Sequence, residues 1–162
     1  MMRITNLINE LPGRAYPRRN GGKIKHVVIH HAAAGKQDGD LQYYRSLIDQ
    51  FDHYHRTNHG WRRIGYHYVI DPLGNCYKCN PYLTVTNHAR GGNTNGIGVM
   101  LIGNYEIDQP TAAALATARE LVQELKAGIP GLESVIGHRD VPGSATACPG
   151  AHMTDAMIAA MW

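Results

Sequence analysis

The sequence predicts one α/β domain in which a central mixed β-sheet is flanked by helices. Three observations lead there. A chain of 162 residues suits a single hydrophobic core. Short runs rich in β-branched residues alternate with two longer amphipathic stretches. Two of the short runs are joined by a tight turn, which makes them a hairpin within the sheet.

The elements follow in chain order. Residues 25–30, with Val27-Val28-Ile29 at their centre, read as a buried strand that ends on His30. Residues 40–54 read as a helix whose stripe is Leu41, Tyr44, Ile48, Phe51 and His55, and Asn58 and Gly60 end it. Strands over 66–71 and 75–79 flank the turn Asp71-Pro72-Leu73-Gly74-Asn75. A further strand covers 97–102. Residues 110–127 form the second helix, with Asp108 as its cap, Pro110 in its first turn and Gly128 at its end. Its stripe is Leu115, Ala118, Val122 and Leu125. A strand over 134–138, a loop at Val141-Pro142-Gly143-Ser144 and a short helix over 154–161 complete the chain. Residues 1–23 are an extension that packs on the domain, which spans 1–162 without repeat or low-complexity linker.

Composition narrows the function classes. The formal net charge of +3 is mildly basic; it suits an acidic polymer and is too weak to argue for nucleic acid. No run approaches the ~18 apolar residues of a membrane span, and the first dozen residues contain no apolar signal core. The expectation is a protein made in the cytoplasm, not inserted in a membrane.

Two segments look like halves of one metal site. One is Val28-Ile29-His30-His31-Ala32, and the other is Gly137-His138-Arg139-Asp140 followed by Thr146-Ala147-Cys148-Pro149-Gly150. Two imidazoles and one thiolate fill three corners of a zinc tetrahedron and leave the fourth open, the mark of a hydrolytic site. On spacing alone, packing roles for these residues stay open, because a single buried Cys commonly acts as a small hydrophobe. A rival cluster is His53, His55 and His59, where an i, i+4 pair falls at a helix end without an adjacent carboxylate or thiol. Cys76 and Cys79 stand three apart in a strand, so their side chains face opposite ways and a disulfide is not expected. A thiol hydrolase built on Cys148 and His138 is another reading; nothing places that Cys at a helix N-terminus, where a thiol is activated.

Five ordered stretches carry a resemblance: Val28–Ala32; Gly60-Trp61 with Ile64-Gly65-Tyr66-His67-Tyr68; Asn87-His88-Ala89-Arg90-Gly91; Asn95–Gly103; and residues 137–150. Together they resemble the zinc-dependent N-acetylmuramoyl-L-alanine amidases of the amidase-2 type, the superfamily of phage T7 lysozyme and the peptidoglycan recognition proteins. The resemblance covers about residues 24–160. It implies hydrolysis of the amide between N-acetylmuramic acid and L-alanine of peptidoglycan. It also implies one zinc per chain, held by His30, His138 and Cys148.

In that family a tyrosine at the position of Tyr66 stands beside the metal. Either Lys or Thr occupies the position of Thr146, near the scissile carbonyl; here it is Thr, as in the recognition-protein amidases. His88, with Asn93 and Asn95, falls in the segment that lines the substrate groove. Asp140 is read as a brace that accepts backbone N–H groups. One departure stands out. Some bacterial members place a Glu general base on the strand that here reads Ile97-Gly98-Val99-Met100-Leu101, with Met100 at the acid's position. That weakens kinship with the cytosolic muropeptide-recycling amidases. The expectation is a monomeric phage or prophage endolysin that acts on the bacterial wall after release by a holin or lysis. The alternatives are a recognition protein without catalysis, a recycling amidase, and a regulator of another protein.

Overall fold

The computed structural model describes residues 2–162, so Met1, the first residue of the N-terminal extension, lies outside the described residues. Six strands build one sheet: β1 (Ile4–Asn6), β2 (His26–His31), β3 (Tyr68–Ile70), β4 (Cys76–Lys78), β5 (Gly96–Leu101) and β6 (Ser134–Gly137). Their spatial order is β1-β4-β3-β5-β2-β6. Among these six strands the β3–β4 hairpin is the antiparallel pair and the other four pairings are parallel, so the sheet is mixed as expected. Helix α1 (Leu41–Asn58) covers one face, and α2 (Ala112–Gly128) with α3 (Asp155–Ala159) covers the other. Among the described residues no helix is long and apolar enough to cross a membrane.

Alternation along β2 assigns each side chain to a layer. Val27 and Ile29 point into the core under α2, together with Ile97, Val99 and Leu101 of β5. Val28 and His30 therefore face the other way, as does Met100, which pairs with His30 in register and joins Tyr44, Leu47 and Ile48 of α1. The same alternation separates the hairpin cysteines. Cys76 lies in the α2 core and Cys79 in the α1 core, and both are free thiols.

Several element limits differ from the sequence expectation. α1 begins at its cap Asp40, whose carboxylate accepts the Tyr43 N–H, and runs on to Asn58. Leu41 is 57% exposed rather than part of the stripe. Helical side chains lean toward the preceding turn, and a first-position residue has no such turn beneath it. The cap of α2 is Thr111, not Asp108; its hydroxyl accepts the Ala114 N–H and donates to the Pro72 carbonyl. Strand β1 was not expected, because three residues are too short to show a period. It pairs with β4, and the segment after it buries Leu7 and Leu11 against α1.

Asp52 is a polar residue that the stripe did not foresee. It is fully buried on α1, accepts the Ile64 N–H at 2.8 Å through one oxygen and pairs with Arg56 at 2.8 Å through the other. Removing it leaves a buried N–H unsatisfied in the segment that carries Tyr66 into β3. Asp52→Ala is expected to lower unfolding free energy by roughly 2–3 kcal/mol. Urea denaturation checks this, and a change within a few tenths of a kcal/mol would show that Asp52 is dispensable.

Candidate metal centre

His30 lies near the carboxyl end of β2, and His138 directly follows β6. These strands are parallel neighbours with Ile29 opposite Gly137, so the next residue on each brings the two imidazoles together. Open α/β sheets commonly build sites beyond the carboxyl ends of their strands. The His30 and His138 rings lie 4.6 Å apart between centroids.

Cys148 arrives from the loop that follows. Arg139, next to His138, ties that loop down. Its main-chain N–H donates to the Cys148 carbonyl, and its guanidinium donates to the Gly150 and Met153 carbonyls and to Asp155. Asp140 accepts the Gly137 N–H, the brace expected of it. The Cys148–Pro149 peptide bond is cis. The Cys148 sulfur stands 3.7 Å from His30 Nδ1. One nitrogen from each His and the Cys sulfur all lie within 4.8 Å of one another, and these three residues are the one such group among the described residues.

This donor set fits a zinc ion. A nitrogen and a sulfur on one tetrahedral zinc sit about 3.6 Å apart, given the usual bond lengths, which matches the His30–Cys148 spacing. Burial pushes the pKa of His30 well below its ordinary value and lowers that of His138, so both rings are neutral and can offer a lone pair. Burial pushes the Cys148 thiol up to about 11, while the His31 main-chain N–H and Arg139 pull the other way. A protonated thiol is a poor free nucleophile, and the sulfur faces two imidazoles at once, a donor set for a metal rather than a thiol–imidazole pair. The thiol-hydrolase reading therefore loses its support.

The remaining candidates fall into three groups. Tyr66 and Thr146 stand at the cluster. The Tyr66 ring packs edge-on to His30 at 5.1 Å, and burial together with the Cys148 sulfur raises its phenol pKa. Thr146 is exposed on the rim; its hydroxyl oxygen accepts the Cys148 N–H at 3.2 Å and keeps its own hydrogen for another partner. Two separate depressions border these residues, one of about 760 Å³ lined in part by Tyr66 and one of about 600 Å³ lined in part by His138 and Thr146.

His88 lies at the second depression but turns inward. It is 6% exposed, and its Nδ1 is 3.0 Å from His30 Nε2. Asn93 spends its side-chain oxygen on the His88 and Ala89 N–H groups, both at 2.8 Å, so it shapes the loop from within. Asn95 lines neither depression; its carbonyl accepts the Lys25 and His26 N–H groups at the opposite end of β2.

The rival cluster comes apart. His55 Nδ1 accepts the Gly65 N–H at 3.0 Å, and its ring packs on Trp61 at 4.7 Å, while His59 stacks on the same indole. Three features were missed from sequence: the inward turn of His88, the Arg139 clamp, and Arg19. The last donates to the carbonyls of Tyr82, Asn93, Thr94 and Gly96. The Gly-Ile-Gly spacing on β5 was the available signal for the first. Neither arginine carries a local one.

Similarity to known proteins bears on the family and the fold. The family model described as N-acetylmuramoyl-L-alanine amidase matches residues 20–151. The human N-acetylmuramoyl-L-alanine amidase is 35% identical over 148 residues, covering 89% of this chain and 25% of that protein. Peptidoglycan-recognition protein SC1a of Drosophila melanogaster is 29% identical over 135 residues, covering 82% of this chain and 71% of that protein. Among solved structures, bumblebee PGRP-SA superposes with a TM-score of 0.84 at 24% identity, covering 94% of this chain and 91% of that one. The endolysin amidase LysCS of Clostridium intestinale gives 0.75 at 24%, covering 94% and 90%. At these identities the two structures speak for the fold.

Proposed function

The chain belongs to the N-acetylmuramoyl-L-alanine amidase family, and we propose from that membership that it is a zinc-dependent hydrolase of peptidoglycan. Its bond is the amide between the lactyl group of N-acetylmuramic acid and L-alanine of the stem peptide. The observation that carries the reading is the convergence of His30, His138 and Cys148 within 4.8 Å, beside Tyr66.

His30 and His138 would hold the ion through neutral imidazole nitrogens, and Cys148 would hold it as the thiolate. A bound zinc supplies Lewis acidity, which polarises a carbonyl and makes water nucleophilic at neutral pH. Tyr66 is a phenol at neutral pH, so its O–H donates to the carbonyl oxygen as negative charge gathers there. Thr146 can add a second donor from the rim without adding positive charge. Met100, opposite His30 in register and buried, supplies no proton acceptor on β5. In this reading the sugar and the stem peptide would flank the cluster, one toward each depression.

The biological setting we infer is a phage or prophage endolysin, monomeric, reaching the wall after release by a holin or lysis. The Met100 departure supports it over the recycling amidases. Recognition without cleavage is the second reading, favoured by the recognition-protein relatives; the complete donor set of His30, His138 and Cys148 argues for catalysis.

Purified muropeptides and intact sacculi, digested with and without a chelator, test the proposal. Mass spectrometry should show stem peptides with a new N-terminal L-alanine, whole glycan strands, and no release in chelator. New reducing sugar ends would make the protein a glycosidase. Binding without release would leave recognition as the function.

A further inference from the structure

We propose that His88 is a positioning residue of the metal centre: seated on Gly96 and Gly98, it holds His30 in the Nε2–H form and leaves Nδ1 free for the metal. The inference rests on the metal reading above.

The geometry runs in one direction. His88 Nε2 is 3.3 Å from the Gly96 carbonyl oxygen. A carbonyl only accepts, so the His88 proton is on Nε2. The ring is buried, and the Arg19 guanidinium donates to the same Gly96 carbonyl, so a second proton would put one positive charge beside another. Nδ1 of His88 is then an acceptor, and it lies 3.0 Å from His30 Nε2. His30 must donate from Nε2, which strips Nδ1 of its proton. That bare Nδ1 is the atom that faces the Cys148 sulfur. Metal-binding imidazoles depend on such a partner at the other nitrogen, which fixes tautomer and ring angle. Carboxylates and carbonyls usually fill that role; here a second imidazole does, with a carbonyl behind it.

The sequence is built to seat this ring. On β5, Gly96 and Gly98 face the same side as His30. A Cβ on Gly98 would lie 2.6 Å from His88 Cγ and 2.9 Å from Nδ1, and one on Gly96 would lie 3.0 Å from His88 Cε1. Gly98 cannot slide away. Its N–H donates to His67 Nδ1 at 3.0 Å, and its carbonyl accepts the His67 N–H at 2.9 Å. Behind the relay, Arg19 donates to the same Gly96 carbonyl at 2.8 Å, which pins the terminal acceptor from the N-terminal segment. The Asn93 side chain holds the His88 backbone at the other end. These contacts together commit the ring to one orientation.

The first test needs no variant. Long-range proton–nitrogen NMR on the full-length, metal-free protein should show His30 and His88 both protonated at Nε2. A His30 proton on Nδ1 would overturn the relay. The second test measures zinc affinity by competition with a chromophoric chelator. His88→Phe keeps the ring shape but removes the acceptor and should weaken zinc binding about 10–100-fold, the usual scale for losing such a partner. His88→Asn puts an acceptor oxygen near the place of Nδ1 and should recover most of the loss. Gly98→Ala should mimic His88→Phe. Unchanged affinity in a folded His88→Phe would overturn the proposal, as would equal weakening in His88→Asn and His88→Phe. A wild-type protein without zinc affinity would instead sink the metal reading, while the tautomer spectrum would still decide the relay.

Discussion

Cys148→Ser is expected to lose its zinc and its hydrolytic activity together. The free energy of binding zinc, about 10–16 kcal/mol in well-formed four-ligand sites, divides to about 3–4 kcal/mol per ligand. Losing the thiolate should therefore weaken binding by roughly 10²–10³-fold, and serine offers only a neutral hydroxyl in its place. The fold should survive. Cys148 sits on a loop secured by Arg139 through four hydrogen bonds that do not use the sulfur. Metal analysis should find about one zinc per wild-type chain and little in the variant, with similar circular dichroism. Activity retained in a metal-free Cys148→Ser would sink the metal reading. Zinc retained there would point back to His53, His55 and His59, although His55 already spends Nδ1 on Gly65.

What could be read from the sequence, and what could not, divides along physical lines. Strand β2 was legible because a central parallel strand, buried on both faces, is a continuous apolar run, and β6, an edge strand, showed as the short apolar stretch Val135-Ile136; where these runs end marks His30 and His138. The hairpin was legible because Asp71 and Gly74 punctuate it; the Asp71 carboxylate accepts the Asn75 N–H, and Gly74 takes a φ of 87°. The convergence of Cys148 was suggested by residue type and spacing and carried by the resemblance, since nothing local directs the loop. Three side chains could not be aimed from sequence. His88, Asn93 and Asn95 share one segment, yet one turns to His30, one braces the loop, and the third stands at the far end of the sheet. A one-residue change of direction in a loop has no periodic signal, whereas in a strand it is imposed by the pleat. The Gly-Ile-Gly of β5 shows the limit well. Two glycines weaken a strand by propensity, and their reason, the His88 ring, lies in another segment.

Tyr66→Phe is expected to separate chemistry from metal binding. The substitution removes one oxygen and keeps the ring. That ring is held by contacts the hydroxyl does not make: it packs edge-on to His30 at 5.1 Å and against His55 at 5.8 Å. The backbone beside it is fixed by Asn80, which donates to the Tyr66 and Ile64 carbonyls. Zinc content and thermal stability should therefore match the wild type. Turnover should not. A phenol that donates to the carbonyl oxygen interacts most strongly when that oxygen carries full negative charge, so its loss falls on kcat rather than KM. Removing one such donor typically costs about 10²–10³-fold. Compensation is limited by what surrounds the site. Met100 is the residue of β5 opposite His30, and it carries no donor or acceptor able to take over. A turnover within a few fold of wild type would reduce Tyr66 to a packing residue. It would move the donor role to Thr146, whose hydroxyl hydrogen is the nearest alternative on the rim, and Thr146→Val should then produce the loss that Tyr66→Phe did not.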